Sequence, residues 1–208
     1  MSIENENDGA TSVGLVMINQ GVAQDYPFGH TAIMTRLGGK IGVVRGFVPA
    51  EGITATQPAA VRGHWVDDIK LAQTDGAISA EWPVEREDAV TLATFLTNDV
   101  ATMKWRYHFA SIRTTDEKKP EPKALASERV RNCAHNALHV LKYQGPEEIR
   151  HDIEKIKKSV SAVKPLKTQL FKELYGLKTH TGKGVLQSEL IQHMENDSGG
   201  YGCEIFWG

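Results

Sequence analysis

Residues 128–141 read ERVRNCAHNALHVL. After Asn132 the apolar residues Ala134, Ala137, Leu138 and Leu141 recur at the three-to-four spacing of one helix face. The pattern predicts a helix from near Asn132 to about Tyr143, stopped by Gly145-Pro146. Cys133 therefore falls at or near a helix N-terminus. Backbone N–H groups without intrahelical partners, and the positive end of the helix dipole, favour a thiolate there. Arg129 and Arg131 add positive charge nearby. The same position equally suits a small buried residue on the inner face of the helix.

Working outward, the chain before this helix reads as strands. Residues 1–12 are a polar, acidic tail, and residues 13–18 are a short apolar run that suits a buried strand. A loop with Gly21, Asp25 and Pro27 leads to two β-rich runs, 31–35 and 41–47, separated by Gly38-Gly39 as in a hairpin. Residues 49–68 read as irregular, with Gly52, Pro58 and Gly63, and 77–82 as a further strand. The clearest helix spans 85–104, with Ala89, Leu92, Ala93, Leu96, Val100 and Met103 on one face and Glu85, Glu87 and Asp88 in its first turn. Residues 114–123 read as a surface loop. Past Gly145-Pro146, helical patterns occupy 147–163, 166–175 and 185–194, and 201–207 suits a closing strand. This order gives an α+β fold, with one domain over 13–208: a core at 13–145 and a helical extension with a closing strand at 146–208.

Composition narrows the function classes. The 208 residues suffice for one domain with a full core. A formal net charge of −2, with dispersed basic residues, leaves no electrostatic footprint for nucleic acid or an anionic membrane. No apolar run approaches the roughly 20 residues of a membrane span. The N-terminus lacks the basic start and apolar centre of a secretory signal, which implies synthesis in the cytoplasm. Two cysteines, Cys133 and Cys203, are no disulfide framework, although a single bridge between them remains open at this level.

His30 is the second candidate for chemistry. It lies in PFGHTAIM, after a glycine and at the start of a strand, where its backbone is fixed and its ring can face a cleft. A cysteine nucleophile needs such a base to form a thiolate–imidazolium pair and then to protonate the leaving group. A lone histidine also serves commonly as a surface or core residue. The early GHTAI and the late NCAHNALHVL together resemble the circularly permuted branch of the papain-like NlpC/P60 superfamily. In that branch a strand bearing the histidine precedes a helix bearing the cysteine, often after an upstream helix and a tyrosine. Here residues 85–104 and Tyr107 would fill those places, and the likeness covers about 13–145.

The resemblance implies a papain-like antiparallel sheet packed on helices, with Cys133 as nucleophile, His30 as base and the Cys133 backbone N–H in an oxyanion hole. It implies hydrolysis of an amide through a thioester, with no cofactor and no metal. The chain is also similar to type VI secretion effectors that cut peptidoglycan peptides. That would bring a peptidoglycan substrate, a secretion spike and a cognate immunity protein as partners, and a target cell's periplasm as destination. The family's third residue, which orients the histidine, usually comes from the next strand, but 41–47 offers no suitable group. His64, Asp25, Asp67 and Glu51 are the substitutes. His64 is preferred, because a neutral imidazole can accept the base's N–H, and Asp25 is second.

Two readings from other classes compete. One is a papain-like binding module without catalysis, whose helical C-terminal third docks a partner. The other is a zinc hydrolase built on His135 and His139, an i,i+4 pair on one helix face. Asn136 stands where such an enzyme carries its glutamate base, and a third ligand would have to come from His108, His151 or Cys133. No phosphate-binding loop, dinucleotide fingerprint or serine-nucleophile elbow occurs in the sequence.

Overall fold

Strand β1, Ser12–Ile18, is buried along its whole length, which is why it reads as a continuous apolar run and not as an alternation. It lies inside the sheet, between β2 (His30–Leu37) and β5 (Ile78–Pro83), and is antiparallel to both. The structure is a computed structural model that describes residues 9–26, 29–50, 61–107, 130–161 and 187–208. The expected elements at 114–123 and 166–175, and most of the tail, lie outside those residues.

The remaining strands are β3 (Lys40–Pro49), β4 (Val61–Asp67), β6 (Arg106–Tyr107), β7 (Val130–Arg131) and β8 (Glu204–Trp207). The sheet order is β7-β6-β4-β3-β2-β1-β5-β8. Seven strands run antiparallel to their neighbours, and the two-residue β7 joins β6 in parallel. With helices on the sheet, the fold is α+β.

Three boundaries differ from the sequence reading. Residues 61–67, expected to be irregular, form β4 and pair with β3 from Arg45↔Asp67 to Pro49↔Gly63. The glycine that argued against a strand is required by packing: a Cβ at Gly63 would land on the Phe47 ring. The long helix is shorter than its apolar pattern. Helix α1 covers Arg86–Asn98, and a separate 3₁₀ turn at Val100–Thr102 continues the apolar face, with Val100 buried. Ser12, placed in the tail by sequence, is the first residue of β1.

Helices α2 (Cys133–Gln144), α3 (Glu147–Ser161) and α4 (Gln187–Asp197) follow the expected order. The C-terminal elements belong to the main core. Ile149, Ile153, Ile156, Leu190, Ile191 and Met194 pack in one cluster with Leu15, Ile33, Trp82, Leu92 and Leu138. Burying each such aliphatic side chain contributes about 1.5–3 kcal/mol. Asp152 of α3 also accepts from the Trp82 indole N–H at 3.3 Å and from Gly202 N–H at 2.9 Å, which ties the helix to the sheet and to the turn before β8. The opposite face of the sheet carries a smaller cluster: Val16, Ile18, Ala32, Met34, Val44, Leu71 and Ala77. No helix of the described residues is long and apolar enough to cross a membrane.

Candidate active site

Cys133 is the first residue of α2. Asn132 before it has extended backbone, and its side chain accepts the His135 N–H at 2.8 Å, so it caps the helix. The cap fixes where the helix starts, and with it the direction of the Cys133 side chain. The sulfur is packed against Phe47 and Tyr107, and Cys133 is only 3 % exposed. Cys203 lies elsewhere, on the approach to β8, and both cysteines are free thiols.

His30 opens β2, buried, directly opposite Ile18. Gly29 precedes it at φ +72°, and its N–H returns to the carbonyl of Tyr26 at 2.9 Å. A left-handed residue is needed to turn the loop into the strand at this point, which suits glycine. His30 and Cys133 are side-chain hydrogen-bond partners. The other side of the ring meets Asp68: Nε2 lies 2.7 Å from Oδ2, and the two side chains are 6 % and 7 % exposed. The contact is short but off the ring N–H axis, as is common in resting sites. With Nε2 facing the carboxylate, Nδ1 is left for the sulfur.

Asp68 sits one residue past the end of β4, where its backbone N–H donates to the carbonyl of Val44 at 3.1 Å. Its other carboxylate oxygen, Oδ1, accepts from the Tyr26 hydroxyl at 2.7 Å. The Tyr26 ring stacks on the His30 ring, with centroids 5.5 Å apart and planes 5° from parallel. Gly46 of β3 is packed against this pair, and a Cβ there would land on both Asp68 Oδ2 and His30 Nε2.

The electrostatics follow from these contacts. Burial alone would push the Cys133 thiol up. The positive charge and hydrogen bond of His30, the backbone of Thr31 and the hydroxyl of Tyr107 more than offset it, and hold the thiol below its ordinary value. Burial lowers the His30 imidazole, but the Cys133 charge and hydrogen bonds to Asp68 and Cys133 outweigh it and raise the ring to about 10. Desolvation raises Asp68, and its contacts with His30 and Tyr26 bring it below the usual carboxylate range. Tyr107 is raised well above the usual phenol range by burial and by the adjacent Cys133 charge. Its hydroxyl lies against both the Cys133 sulfur and the Cys133 backbone N–H. This arrangement shifts the pair toward thiolate and imidazolium relative to the isolated groups.

The sequence reading paired Cys133 with His30, and the fold brings those two together. Its orienting residues are corrected. His64 is exposed on β4, opposite Val48, and lines an open groove of about 670 Å³ with Lys104, Trp105 and Arg106. Asp25 is exposed in the loop beside Tyr26. Asp67 points to solvent and pairs with Arg45 at 3.6 Å. Asp68, its neighbour, is the acid that reaches His30. Glu51 lies outside the described residues.

Among the described residues no group of three or more His, Cys, Asp or Glu is placed to hold a metal ion. The His139 ring packs against Trp105 and Tyr143, Asn136 is fully buried, and His151 is exposed on α3. His108 lies outside the described residues. No family model, no curated protein and no solved structure matches the chain.

Proposed function

We propose that this protein is a thiol hydrolase that cleaves an amide bond through a covalent thioester. The observation that carries the reading is His30 lying between Cys133 and Asp68 in a buried chain of three groups. The thiolate attacks the carbonyl carbon, and the C=O electrons move onto oxygen. On the resemblance the Cys133 backbone N–H donates to that oxyanion, and the Tyr107 hydroxyl, which lies beside that N–H, is the second donor in this reading. The imidazolium then gives its proton to the leaving nitrogen as the C–N bond breaks. Water enters, His30 takes its proton, and the thioester is hydrolysed to a carboxylic acid with the thiol regenerated. Asp68 holds the ring and stabilises its charged form throughout.

The helix-borne cysteine, the strand-borne histidine earlier in the chain and Tyr107 after α1 also support a permuted papain-like NlpC/P60 arrangement. On that likeness the substrate is a peptidoglycan peptide, and the setting is a type VI effector delivered by the secretion spike and neutralised by a cognate immunity protein. The test is digestion of purified peptidoglycan, with fragments separated by chromatography and weighed by mass spectrometry. The expected result is new fragments with a freed amine and acid, absent with Cys133→Ala. Fragments formed equally by Cys133→Ala would refute the proposal.

A further inference from the structure

We propose that Tyr26 is a positioning residue of this site, which fixes the Asp68 carboxylate with its hydroxyl and the His30 imidazole with its ring. The proposal rests on the thiol-hydrolase reading and adds a residue that no sequence motif singles out. Tyr26 touches both members from outside the chain of three, Asp68 through its hydroxyl and His30 through its ring.

Each contact removes a specific freedom. A carboxylate on a short side chain turns easily about its last bond, because that torsion is broad. With Oδ1 held by Tyr26 at 2.7 Å, Oδ2 is the oxygen left for His30. An imidazole has the same soft torsion, and a half-turn would present carbon to the sulfur in place of nitrogen. The parallel Tyr26 ring covers one face of His30 and resists that turn. Tyr26 is itself anchored: its N–H donates to Ala23 at 3.1 Å, and its carbonyl accepts from Gly29 at 2.9 Å. The same ring limits water around the ion pair, where lower polarity strengthens the attraction.

Positioning and plain electrostatics predict opposite signs for one substitution. Tyr26→Phe keeps the ring and removes the hydroxyl. Without that hydrogen bond the carboxylate is the more basic, so on charge alone it would favour imidazolium and lower the Cys133 thiol further. On positioning grounds the carboxylate swings, the imidazolium loosens, and the thiol rises toward its ordinary 9.0.

The experiment is a titration of Cys133 thiolate by ultraviolet absorbance, taken as the difference from Cys133→Ser, in the full chain and in Tyr26→Phe and Tyr26→Leu. It is paired with kcat and KM on an isolated muropeptide. Tyr26→Phe should raise the thiolate midpoint and lower kcat by about ten- to a hundredfold at unchanged KM. Tyr26→Leu should do both more strongly. A midpoint unmoved or lowered in Tyr26→Phe overturns the proposal, and that variant decides even if Tyr26→Leu does not fold. If the unsubstituted protein has no muropeptide turnover, the peptidoglycan-hydrolase reading fails while the titration still decides the role of Tyr26.

Discussion

At the scale of single residues, the site depends on Asp68 and on the space that Gly46 leaves for it. Asp68→Asn keeps the shape but loses the carboxylate that holds the His30 ring and, after the Cys133 charge, favours its protonated form. Its kcat is expected to fall by about 10² to 10⁴, with little change in melting temperature. His64→Ala should leave kcat unchanged, since that side chain lies away from His30; the pair of variants, assayed together, separates the two assignments. Gly46→Ala puts a methyl onto Asp68 Oδ2 and His30 Nε2. It should abolish turnover and cost about 1–3 kcal/mol of stability, measured by denaturant unfolding. Cys133 and His30 were legible in sequence because each sits in a short motif at an element terminus. Asp68 was not. It adjoins Asp67, and nothing local separates an acid that pairs with Arg45 in solvent from one that turns inward. Only the β3–β4 register settles which of the two meets His30.

At the scale of elements, the start of α2 sets the position of the proposed nucleophile. Asn132→Ala removes the bond to the His135 N–H and should destabilise the protein by about 0.5–2 kcal/mol. It should also lower kcat, because a frayed first turn no longer aims Cys133; Asn132→Asp, which can cap the same N–H, should restore most of the melting temperature. Helices α1 and α2 and strands β1, β2 and β5 were readable from apolar patterning. Strand β4 was hidden by Gly63, whose missing side chain makes room for Phe47, a contact that exists only once β3 and β4 pair. The end of α1 was overrun because Val100 in the 3₁₀ turn continues the buried face that a longer helix would present.

At the scale of the whole molecule, the sheet is pinned by a second, partly buried ion pair away from the thiol. Glu81 on β5 accepts from Arg36 of β2 at 2.9 Å through both Nε and Nη2, and from Ser12 of β1 and Ser79. Desolvation pushes its carboxyl up, but hydrogen bonds from Arg36, Ser12 and Ser79 bring it below its ordinary 4.5. A folded value below the unfolded one gives stability that is present above pH 4.5 and lost as pH falls through the folded value. The melting temperature should therefore fall on acidification below about 4.5, and more steeply than in Glu81→Gln, measured by thermal unfolding across pH. The central claim is that this fold holds Cys133 as a thiolate through His30. It is tested most directly by following Cys133 thiolate absorbance against pH, in the unsubstituted protein and in His30→Ala, each with Cys133→Ser as its blank. The account predicts ionisation below 9.0 in the unsubstituted protein and a midpoint displaced upward in His30→Ala. A midpoint at or above 9.0 that His30→Ala leaves in place would contradict it.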